Sequence, residues 1–417
     1  MRGATETLVI GASAAGLATA AELRRRGREF EIVEAEDVVA ASWRRHYDRL
    51  HLHTPKGFSA LPGLPMPKSW PRYPARDQVA EYLELYQEHF ALRPHFGETV
   101  HRVERVDETW ETTTSKGSWR SANVVIATGR ARVPVRPTWP GMDQYRGDLL
   151  HSSEYRNGDP WKGRPVLVVG FGNSACEQAL DLVERGAEVH LAVRSPVNVL
   201  PRDIFGMVPV LPLGIVMRRL PTRVADALAW PMVRSTVGDV TKVGLKKLPY
   251  GPNTQMARDH HVPLLDIGTM DQIKQGRIAV HGDLDRFTED GVVFSNGSQV
   301  TLDAVVLATG YRASIEDLLV GWEAVCDSSG TPTVSGAPTA LGGLYFCGMY
   351  VSPAGMLREI GIEATRIATH INRQFVLGRS DMGRAPPQRC NRFTRVKLRP
   401  AGRSIPDVPQ GGHSPGV

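Results

Sequence analysis

The chain has 417 residues, of which 41% are hydrophobic and 23% are charged, and its formal net charge is +6. This length and composition are ordinary for a soluble protein and predict two or more domains. Much of the positive excess lies in an arginine-rich C-terminal tail and no nucleic-acid motif is present, so a nucleic-acid partner is not expected. No uninterrupted apolar run reaches the roughly 18 residues of a membrane span, and a cytoplasmic protein is expected. The four cysteines form no CxxC pair, so neither a disulfide reductase nor a metal site is supported.

The N-terminal segment predicts a strand, a tight turn and a helix. The apolar run Leu8-Val9-Ile10 leads into the glycine-rich turn Gly11-Ala12-Ser13-Ala14-Ala15-Gly16, a geometry that places a pyrophosphate on a helix N-terminus. Ser13 stands where the middle glycine of this motif normally lets the backbone approach the pyrophosphate. The next predicted strand, 30–34, ends in Glu34, whose carboxylate can accept hydrogen bonds from ribose hydroxyls. This unit is therefore expected to bind FAD or NAD.

Residues 37–126 connect this unit to a second small-residue turn. They contain Trp43, a Pro-rich loop over 55–74, a predicted helix over about 77–90 and predicted antiparallel strands over 100–126. The last strand runs into Ala127-Thr128-Gly129, where small residues let the backbone pass close to a cofactor.

A second glycine-rich turn follows the apolar run 166–169. It reads Gly170-Phe171-Gly172-Asn173-Ser174-Ala175, and the next predicted strand ends in Arg194. An acid at that place would repel a 2′-phosphate, whereas the guanidinium of Arg194, with Arg202 as a second candidate, suits one. We therefore assign FAD to the first turn and NADPH to the second, which is the plan of a flavoprotein that takes hydride from a nicotinamide. The alternative is a pair of structural turns without ligands.

The rest of the chain holds an insertion and a repeat of the small-residue turn. A helical and irregular insertion is predicted over about 203–262, and its fairly apolar part, 204–230, is interpreted as a lid, a core segment or a membrane-surface patch, with lid or core favoured. A later strand ends in Ala308-Thr309-Gly310, and a further strand ends at Gly348 before a helix over about 357–374.

The two Ala-Thr-Gly turns flank the second glycine turn, which predicts a nested layout. The fold class is α/β with two nested Rossmann-like dinucleotide-binding domains. The predicted boundaries are 1–160 for the first part of the FAD domain, 161–300 for the NADPH domain, 301–378 for the resumed FAD domain and 379–417 for a disordered tail.

The chain resembles a class B flavin-containing monooxygenase, and is most similar to the plant YUCCA branch and its bacterial relatives. The linker motif of that family, FxGxxxHxxx(F/Y), matches residues 145–155, with Tyr145 in place of Phe. The segments 47–56, 199–202, 266–269 and 307–311 are also similar to the family. The resemblance covers roughly residues 6–375.

The resemblance implies an enzyme in which NADPH reduces FAD and a flavin C4a-(hydro)peroxide transfers one oxygen atom from O2 to a small-molecule substrate. His151 and Tyr155 of the motif are then expected to couple nicotinamide binding to domain position; the alternative is that His151 is a structural histidine. Lys56 and Arg358 are candidate substrate or nicotinamide contacts, with solvated surface positions equally open. The expected FAD residues are Gly11, Ser13, Ala14, Gly16, Glu34, Trp43, Thr128, Gly129 and Gly348. The expected NADPH and linker residues are Gly170, Gly172, Asn173, Ser174, Ala175, Arg194, Arg202, Thr309 and Gly310.

The reaction subtype stays open in the sequence. Residues 347–361 depart from the usual plant ending, and by family analogy they face flavin and substrate. Decarboxylation of a 2-oxo acid, heteroatom oxidation and Baeyer–Villiger oxidation are all compatible, and an NADPH oxidase or dehydrogenase that releases hydrogen peroxide is the alternative function. A homodimer is left open as the oligomeric state.

Overall fold

The structure is a computed structural model that describes residues 1–217, 219–259, 262–352 and 354–382, without the side chains of 378–382. The predicted disordered tail from 383 onward lies outside the described residues. The described residues form twenty strands: β1 Gly3–Ile10, β2 Phe30–Val33, β3 Val100–Val106, β4 Thr109–Thr114, β5 Gly117–Ile126, β6 Val133–Pro134, β7 Asp148–His151, β8 Pro165–Val169, β9 Glu188–Ala192, β10 Val199–Pro201, β11 Asp203–Ile204, β12 Val208–Pro209, β13 Leu264–Asp266, β14 Ile278–His281, β15 Leu284–Thr288, β16 Gly291–Phe294, β17 Gln299–Thr301, β18 Ala304–Leu307, β19 Tyr311–Arg312 and β20 Leu344–Phe346.

Nine α-helices connect these strands in the described residues. They are α1 Ala14–Arg25, α2 Ala41–Arg45, α3 Arg76–His89, α4 Asn173–Glu184, α5 Val210–Met217, α6 Thr222–Thr236, α7 Pro252–Asp259, α8 Thr269–Lys274 and α9 Met356–Met382. The compact unit spans Met1–Phe375, and the second unit, Val376–Val417, is described only in the last turns of α9. That helix is longer than the predicted 357–374.

The first sheet has the strand order β2-β1-β5-β4-β3, with β20 also paired to β5. β1 runs parallel to β2, to β5 and, through β5, to β20, whereas β3, β4 and the first half of β5 form an antiparallel meander. The predicted antiparallel strands over 100–126 are therefore confirmed. Because parallel strands end at the same edge, the turns that follow β1 and β5 lie side by side.

The second sheet is fully parallel, with the order β14-β9-β8-β18-β7. Its strands β8, β9 and β18 are apolar runs that the sequence predicts, whereas β7 and β14 were not predicted. Four of the five residues of β8 are fully or nearly fully buried. Each sheet thus carries one glycine-rich turn at the end of a central parallel strand, which confirms the α/β class with two Rossmann-like units.

The domain boundaries need one correction. Strands β7 and β18 both pair within the second sheet, although the boundaries predicted at 160 and 301 place residues 148–151 and 304–307 with the first unit. The sequence could not reveal this, because an apolar strand with an Ala-Thr-Gly end reads the same in either sheet and pairing partners are set by tertiary contacts.

Candidate active site

The first glycine-rich turn is closed against the backbone that surrounds it. A Cβ added to Gly16 would lie 1.8 Å from the carbonyl oxygen of Gly11, so only glycine fits there. Gly11 itself has φ +105°, and its added Cβ would meet the carbonyl oxygen of Ala127 at 2.8 Å. This packing brings the start of α1 against the ends of β1 and β5.

The N-terminus of α1 opens onto the larger of two cavities. Ser13 is the N-cap residue and makes no side-chain capping hydrogen bond, so the first-turn N–H groups of α1 are not capped by it. Ser13 and Ala14 line a cavity of about 720 Å³. A helix N-terminus that faces a cavity in this way fits a phosphate group.

Glu34 follows β2 and is bonded within the protein. One carboxylate oxygen accepts a hydrogen bond from the backbone N–H of Ala12 at 2.5 Å, and the other accepts one from the N–H of Glu36 at 3.0 Å. The predicted ribose acceptor therefore also braces the glycine turn. Its remaining lone pairs leave room for a ribose hydroxyl.

The other residues predicted for FAD converge on the larger cavity. Trp43, Thr128, Gly129 and Gly348 line it together with residues of the segment 347–361, namely Ser352, Gly355, Met356, Leu357 and Ile360. The segment that departs from the plant sequences therefore forms a wall of this cavity.

Gly348 is held by a buried acid of α9. One carboxylate oxygen of Glu363 accepts hydrogen bonds from the N–H of Gly348 at 2.6 Å and from the hydroxyl of Ser335 at 2.9 Å. Burial raises the pKa of Glu363 to about 6, with Glu359 adding to the rise and hydrogen bonds opposing it. The wall of the larger cavity thus rests on a carboxyl group that titrates near neutral pH.

The second glycine-rich turn lines a smaller cavity of about 470 Å³. An added Cβ on Gly172 would meet nothing within 4 Å, while Gly170, with φ +128°, is packed against the carbonyl oxygen of Ala308. Gly172 caps α4 without a side-chain bond, so this helix also presents uncapped N–H groups. All of the residues 170–175, Arg194, Thr309 and Gly310 line this cavity.

The guanidinium of Arg194 is exposed at the rim of the smaller cavity, after β9. Among the described residues it makes no hydrogen bond or ion pair, so a cation is available where the second ribose is expected. Arg202 differs: it bonds Asp203 at 3.0 Å, lies over the ring of Tyr73 at 4.1 Å, and does not line the cavity. Its predicted role at the 2′-phosphate is therefore not supported.

The two cavities share two lining residues, Asn173 and Tyr311. Asn173 starts α4, and its side-chain oxygen accepts a hydrogen bond from the N–H of Leu265 at 3.0 Å. Tyr311 follows the second Ala-Thr-Gly turn. These residues mark the place where groups bound in the two cavities would meet.

His151 contacts Gly310 and Tyr311, next to the place where the two cavities meet. The backbone N–H of Ser153 donates to Nδ1 at 3.1 Å, which leaves Nε2–H to donate to the carbonyl oxygen of Gly310 at 3.1 Å. The imidazole also packs edge-on against Tyr311, with ring centroids 5.1 Å apart. Burial lowers the pKa of His151, so the neutral tautomer is held in place.

Eight predicted site residues do not line either cavity: Gly11, Gly16, Glu34, Lys56, His151, Tyr155, Arg202 and Arg358. Tyr155 is fully buried, donates to Asp181 at 2.6 Å and stacks on Trp161, so it is a packing residue of the second sheet's helical layer. The ammonium of Lys56 donates to the carbonyl oxygens of Pro67, Lys68 and Trp70 and braces the Pro-rich loop. Arg358 pairs with Glu359 at 3.2 Å. These contacts do not support a substrate or nicotinamide contact for Lys56 or Arg358, which stays a prediction.

His53 lines the larger cavity and was missed from the sequence. Its Nε2 is hydrogen bonded to Glu177 of α4, while its Nδ1 is buried without a partner in the described residues. Arg49 bonds Glu184 of the same helix at 2.7 Å. No local pattern in the sequence signals these pairs, because residues 49 and 53 lie in a turn and a bend and their partners are on a distant helix.

Both turns therefore fit a dinucleotide: each has a glycine cradle, an uncapped helix N-terminus and a cavity in front of it. Comparison with known proteins agrees. Residues 8–202 match the family model described as pyridine nucleotide-disulphide oxidoreductase. The indole-3-pyruvate monooxygenase YUCCA1 of Oryza sativa subsp. japonica is 38% identical over 316 residues, which are 75% of this chain and 78% of that protein.

Solved structures agree in fold. A flavin monooxygenase from Stenotrophomonas maltophilia matches with a TM-score of 0.68 and 25% identity, over 90% of this chain and 99% of that one. A cyclohexanone monooxygenase from Rhodococcus sp. bound to NADP+ matches with a TM-score of 0.68 and 17% identity, over 91% of this chain and 85% of that one. No described helix is long and apolar enough to cross a membrane.

Proposed function

Since this chain belongs to the class B flavin-containing monooxygenase family, with plant YUCCA enzymes among its relatives, we propose that it oxygenates a small 2-oxo acid with an apolar side chain. The protein is a flavin-dependent monooxygenase that uses FAD and NADPH. The observation that carries the substrate class is the 38% identity to a relative named for indole-3-pyruvate, which is a 2-oxo acid.

The walls of the larger cavity support an apolar side chain on the substrate. Leu52, Leu265, Met356, Leu357 and Ile360 line part of it, and polar or charged residues line much of the rest, among them His53, Thr54, Arg45, Arg130 and Arg132. The apolar part suits an apolar side chain, as the apolar walls of small-molecule pockets do. Because the segment 347–361 departs from the plant sequences, the substrate class is a 2-oxo acid, and the identity of its apolar side chain is determined by the experiment below.

The reaction balances without a further reactant. A 2-oxo acid, O2, NADPH and one proton give a carboxylic acid shortened by one carbon, CO2, NADP+ and water. When bound, FAD supplies the oxygen-activating chemistry and NADPH supplies the hydride. The protein supplies position, charge and exclusion of water.

We place FAD in the larger cavity and NADPH in the smaller one. The N-terminus of α1 binds the FAD pyrophosphate, Glu34 accepts from its ribose, and Thr128, Gly129, Trp43 and Gly348 form the walls. The N-terminus of α4 binds the NADPH pyrophosphate, and Arg194 pairs with the 2′-phosphate. In this proposal His151, through its contacts with Gly310 and Tyr311, couples nicotinamide binding to domain position.

The substrate class is tested with the purified holoenzyme and a panel of compounds. NADPH consumption, oxygenated product, CO2 and hydrogen peroxide are measured with phenylpyruvate and 4-methyl-2-oxopentanoate, and with thioanisole, cyclohexanone and trimethylamine. The 2-hydroxy analogues of the two acids are controls that keep the carboxylate and the side chain. We expect CO2 and the shortened acid from the 2-oxo acids alone. A sulfoxide, lactone or N-oxide formed while both 2-oxo acids stay unconverted would overturn the proposal.

The cellular location, the partners and the oligomeric state are also proposed. We place the enzyme in the cytoplasm with a small-molecule substrate and O2 as its partners, and we expect no nucleic-acid partner. A homodimer is tested by size-exclusion chromatography with light scattering on the holoenzyme.

A further inference from the structure

The insertion at 203–262 exposes an unusual amount of apolar side chain. Of the twenty large apolar side chains that are exposed among the described residues, nine lie between 205 and 230. We call them the apolar surface: Phe205, Met207, Val208, Leu213, Val216, Leu220, Val224, Leu228 and Trp230. Exposed apolar side chains concentrated to this degree in one segment are more typical of an interaction site than of an ordinary protein surface.

The apolar surface is supported only thinly from below. The described core beneath α5 and α6 is a small cluster of Met217, Ala225 and Ala229, with Met232 packed against it. In α5, only Leu211 and Met217 are buried. The core interpretation of 204–230 therefore holds for Leu211 and Met217 but not for the nine exposed side chains, and the lid interpretation stays a prediction.

The tip of the β11–β12 hairpin has a strained backbone and exposes its side chains. Phe205 has φ +49°, in the left-handed region, and is 66% exposed, while Met207 is 68% exposed. A left-handed conformation costs a non-glycine residue roughly 1 kcal/mol, and an exposed phenyl ring recovers nothing from water. The turn is nevertheless fixed, because Arg72 donates to the carbonyl oxygen of Met207 at 2.8 Å.

Helix α6 carries the second part of the apolar surface as a stripe with basic flanks. Val224 and Leu228 are one turn apart and lie on one face, with Leu220 just before the helix. Arg219 and Arg223 are exposed beside them. Long basic side chains next to an apolar stripe are typical of helices that lie on a membrane surface.

The charge of the insertion points to an anionic partner. Residues 203–262 contain eight Lys or Arg but only four Asp and no Glu, and none of the acids lies between 204 and 225. The two acids that border this stretch are already bonded: Asp203 to Arg202 and Tyr73, and Asp226 to Asn253 and Thr254. Two copies meeting through this face would bring Arg against Arg, which disfavours self-association.

We propose that the apolar surface docks the enzyme peripherally on an anionic lipid bilayer. The hairpin tip and the stripe of α6 enter the headgroup and acyl boundary, and Arg219 and Arg223 pair with lipid phosphates and carboxylates. Apolar insertion and basic attraction together give the two signals that stable peripheral binding requires.

Flotation of the holoenzyme with vesicles tests the proposal. Vesicles of phosphatidylcholine with 30% phosphatidylserine, a fraction set by the experimenter at about the level that gives a negative surface potential, are compared with pure phosphatidylcholine at low and high salt. We expect binding to the anionic vesicles that weakens with salt. Phe205→Asn/Met207→Ser should lower the partition coefficient about tenfold or more, and Val224→Gln/Leu228→Gln, on one face of α6, similarly. Arg219→Gln and Arg223→Gln should each lower it about fivefold.

The control variants and measurements distinguish lipid docking from a subunit interface and from a lid. Leu85→Gln/Val320→Gln removes two exposed apolar side chains elsewhere and should bind vesicles as the wild type does. Asn accepts the left-handed conformation of Phe205 better than Phe does, so that variant should keep its melting temperature. The proposal is overturned if the wild type does not float with anionic vesicles, or if the control variant loses binding equally. It is also overturned if light scattering shows a dimer that Phe205→Asn/Met207→Ser dissociates, or if that variant changes NADPH-driven flavin reduction without vesicles, because the surface would then be a subunit interface or a lid.

Discussion

The two glycine-rich turns share one plan and are both tightly packed at their first glycine, Gly11 and Gly170, but they differ at the later positions. Gly16 at the end of the first turn has no room for a Cβ, whereas the matching position of the second turn is Ala175. Gly172 of the second turn has open space in front of it, where the first turn has Ser13. The charged residue after the following strand also differs: it is Glu34 for the first turn and Arg194 for the second.

The carboxylate of Glu34 accepts one hydrogen bond from the first turn, at Ala12, and one from the nearby backbone of Glu36, whereas Arg194 makes none among the described residues and is exposed. A turn braced from within suits a cofactor that stays bound, and a turn with an available cation suits a nucleotide that exchanges at each turnover. One supersecondary unit thus serves two uses through its packing rather than through its motif.

The largest expected effect tests the first turn. Gly16→Ala places a Cβ 1.8 Å from the carbonyl oxygen of Gly11, and neither backbone can move without separating α1 from β1. We expect a loss of about 3 kcal/mol or more in unfolding free energy, together with loss of FAD. The flavin absorbance per protein and a denaturant titration measure both. Gly172→Ala, in the second turn, enters open space and is the control that should fold and keep FAD; equal losses in the two variants would contradict the steric argument for Gly16.

The second prediction tests the second turn. Arg194→Ala should reduce the preference for NADPH over NADH by about tenfold or more, since a charge-assisted hydrogen bond contributes roughly 1.5–3 kcal/mol. Steady-state kinetics with both nucleotides give the ratio. Arg202→Ala is the control, because its guanidinium is engaged by Asp203 and Tyr73. An unchanged ratio in Arg194→Ala, or an equal change in Arg202→Ala, would remove the assignment.

The third prediction concerns pH at the first site. Burial raises the pKa of Glu363 to about 6, so the folded protein favours the protonated acid, and stability is lost as pH rises through 6. Glu363→Gln keeps an acceptor oxygen for Gly348 and Ser335 without a charge. We expect the variant to be more stable than the wild type by up to about 2 kcal/mol at pH 7.5, and the two to converge near pH 4.5. Denaturant unfolding at both pH values measures this, and parallel pH profiles would contradict it.

The smallest expected effect concerns His151, next to the place where the two cavities meet. Its pKa is shifted in the opposite direction to that of Glu363. Burial lowers the pKa of His151, so the neutral ring contributes stability above its ordinary pKa, and that contribution is lost as pH falls through the lowered value. His151→Ala removes the hydrogen bond to Gly310, worth about 1 kcal/mol. We expect FAD and NADPH oxidation to persist while hydrogen peroxide per NADPH rises about fivefold, a factor that corresponds to that energy.

Peroxide yield and the rate of flavin reduction should be measured together for this variant. His101→Ala, at an exposed position, is the control. Unchanged coupling in His151→Ala would make His151 a structural histidine only. In the wild type, peroxide yield should also rise as the pH is lowered below neutrality.

Local sequence determined much of this protein. The turns at 11–16 and 170–175, the residues Glu34 and Arg194 after the following strands, and helix α3 at Arg76–His89 were all predictable. Each depends on a short-range rule: glycine where the backbone must turn tightly, apolar runs for parallel strands, and helical spacing of apolar residues.

Tertiary structure alone decided which side chains reach the cavities. Lys56 donates hydrogen bonds to backbone carbonyl oxygens, Arg202 pairs with the neighbouring Asp203, and Tyr155 donates to the buried Asp181. His53, by contrast, lines the larger cavity and is hydrogen bonded to Glu177, 124 residues away. The same holds for β7 and β18, whose sheet is set by pairing. Sequence fixes what a residue can do within a few positions, but hydrogen bonding and burial between distant segments decide which polar groups remain available, because each donor or acceptor that the fold satisfies is withdrawn from the site.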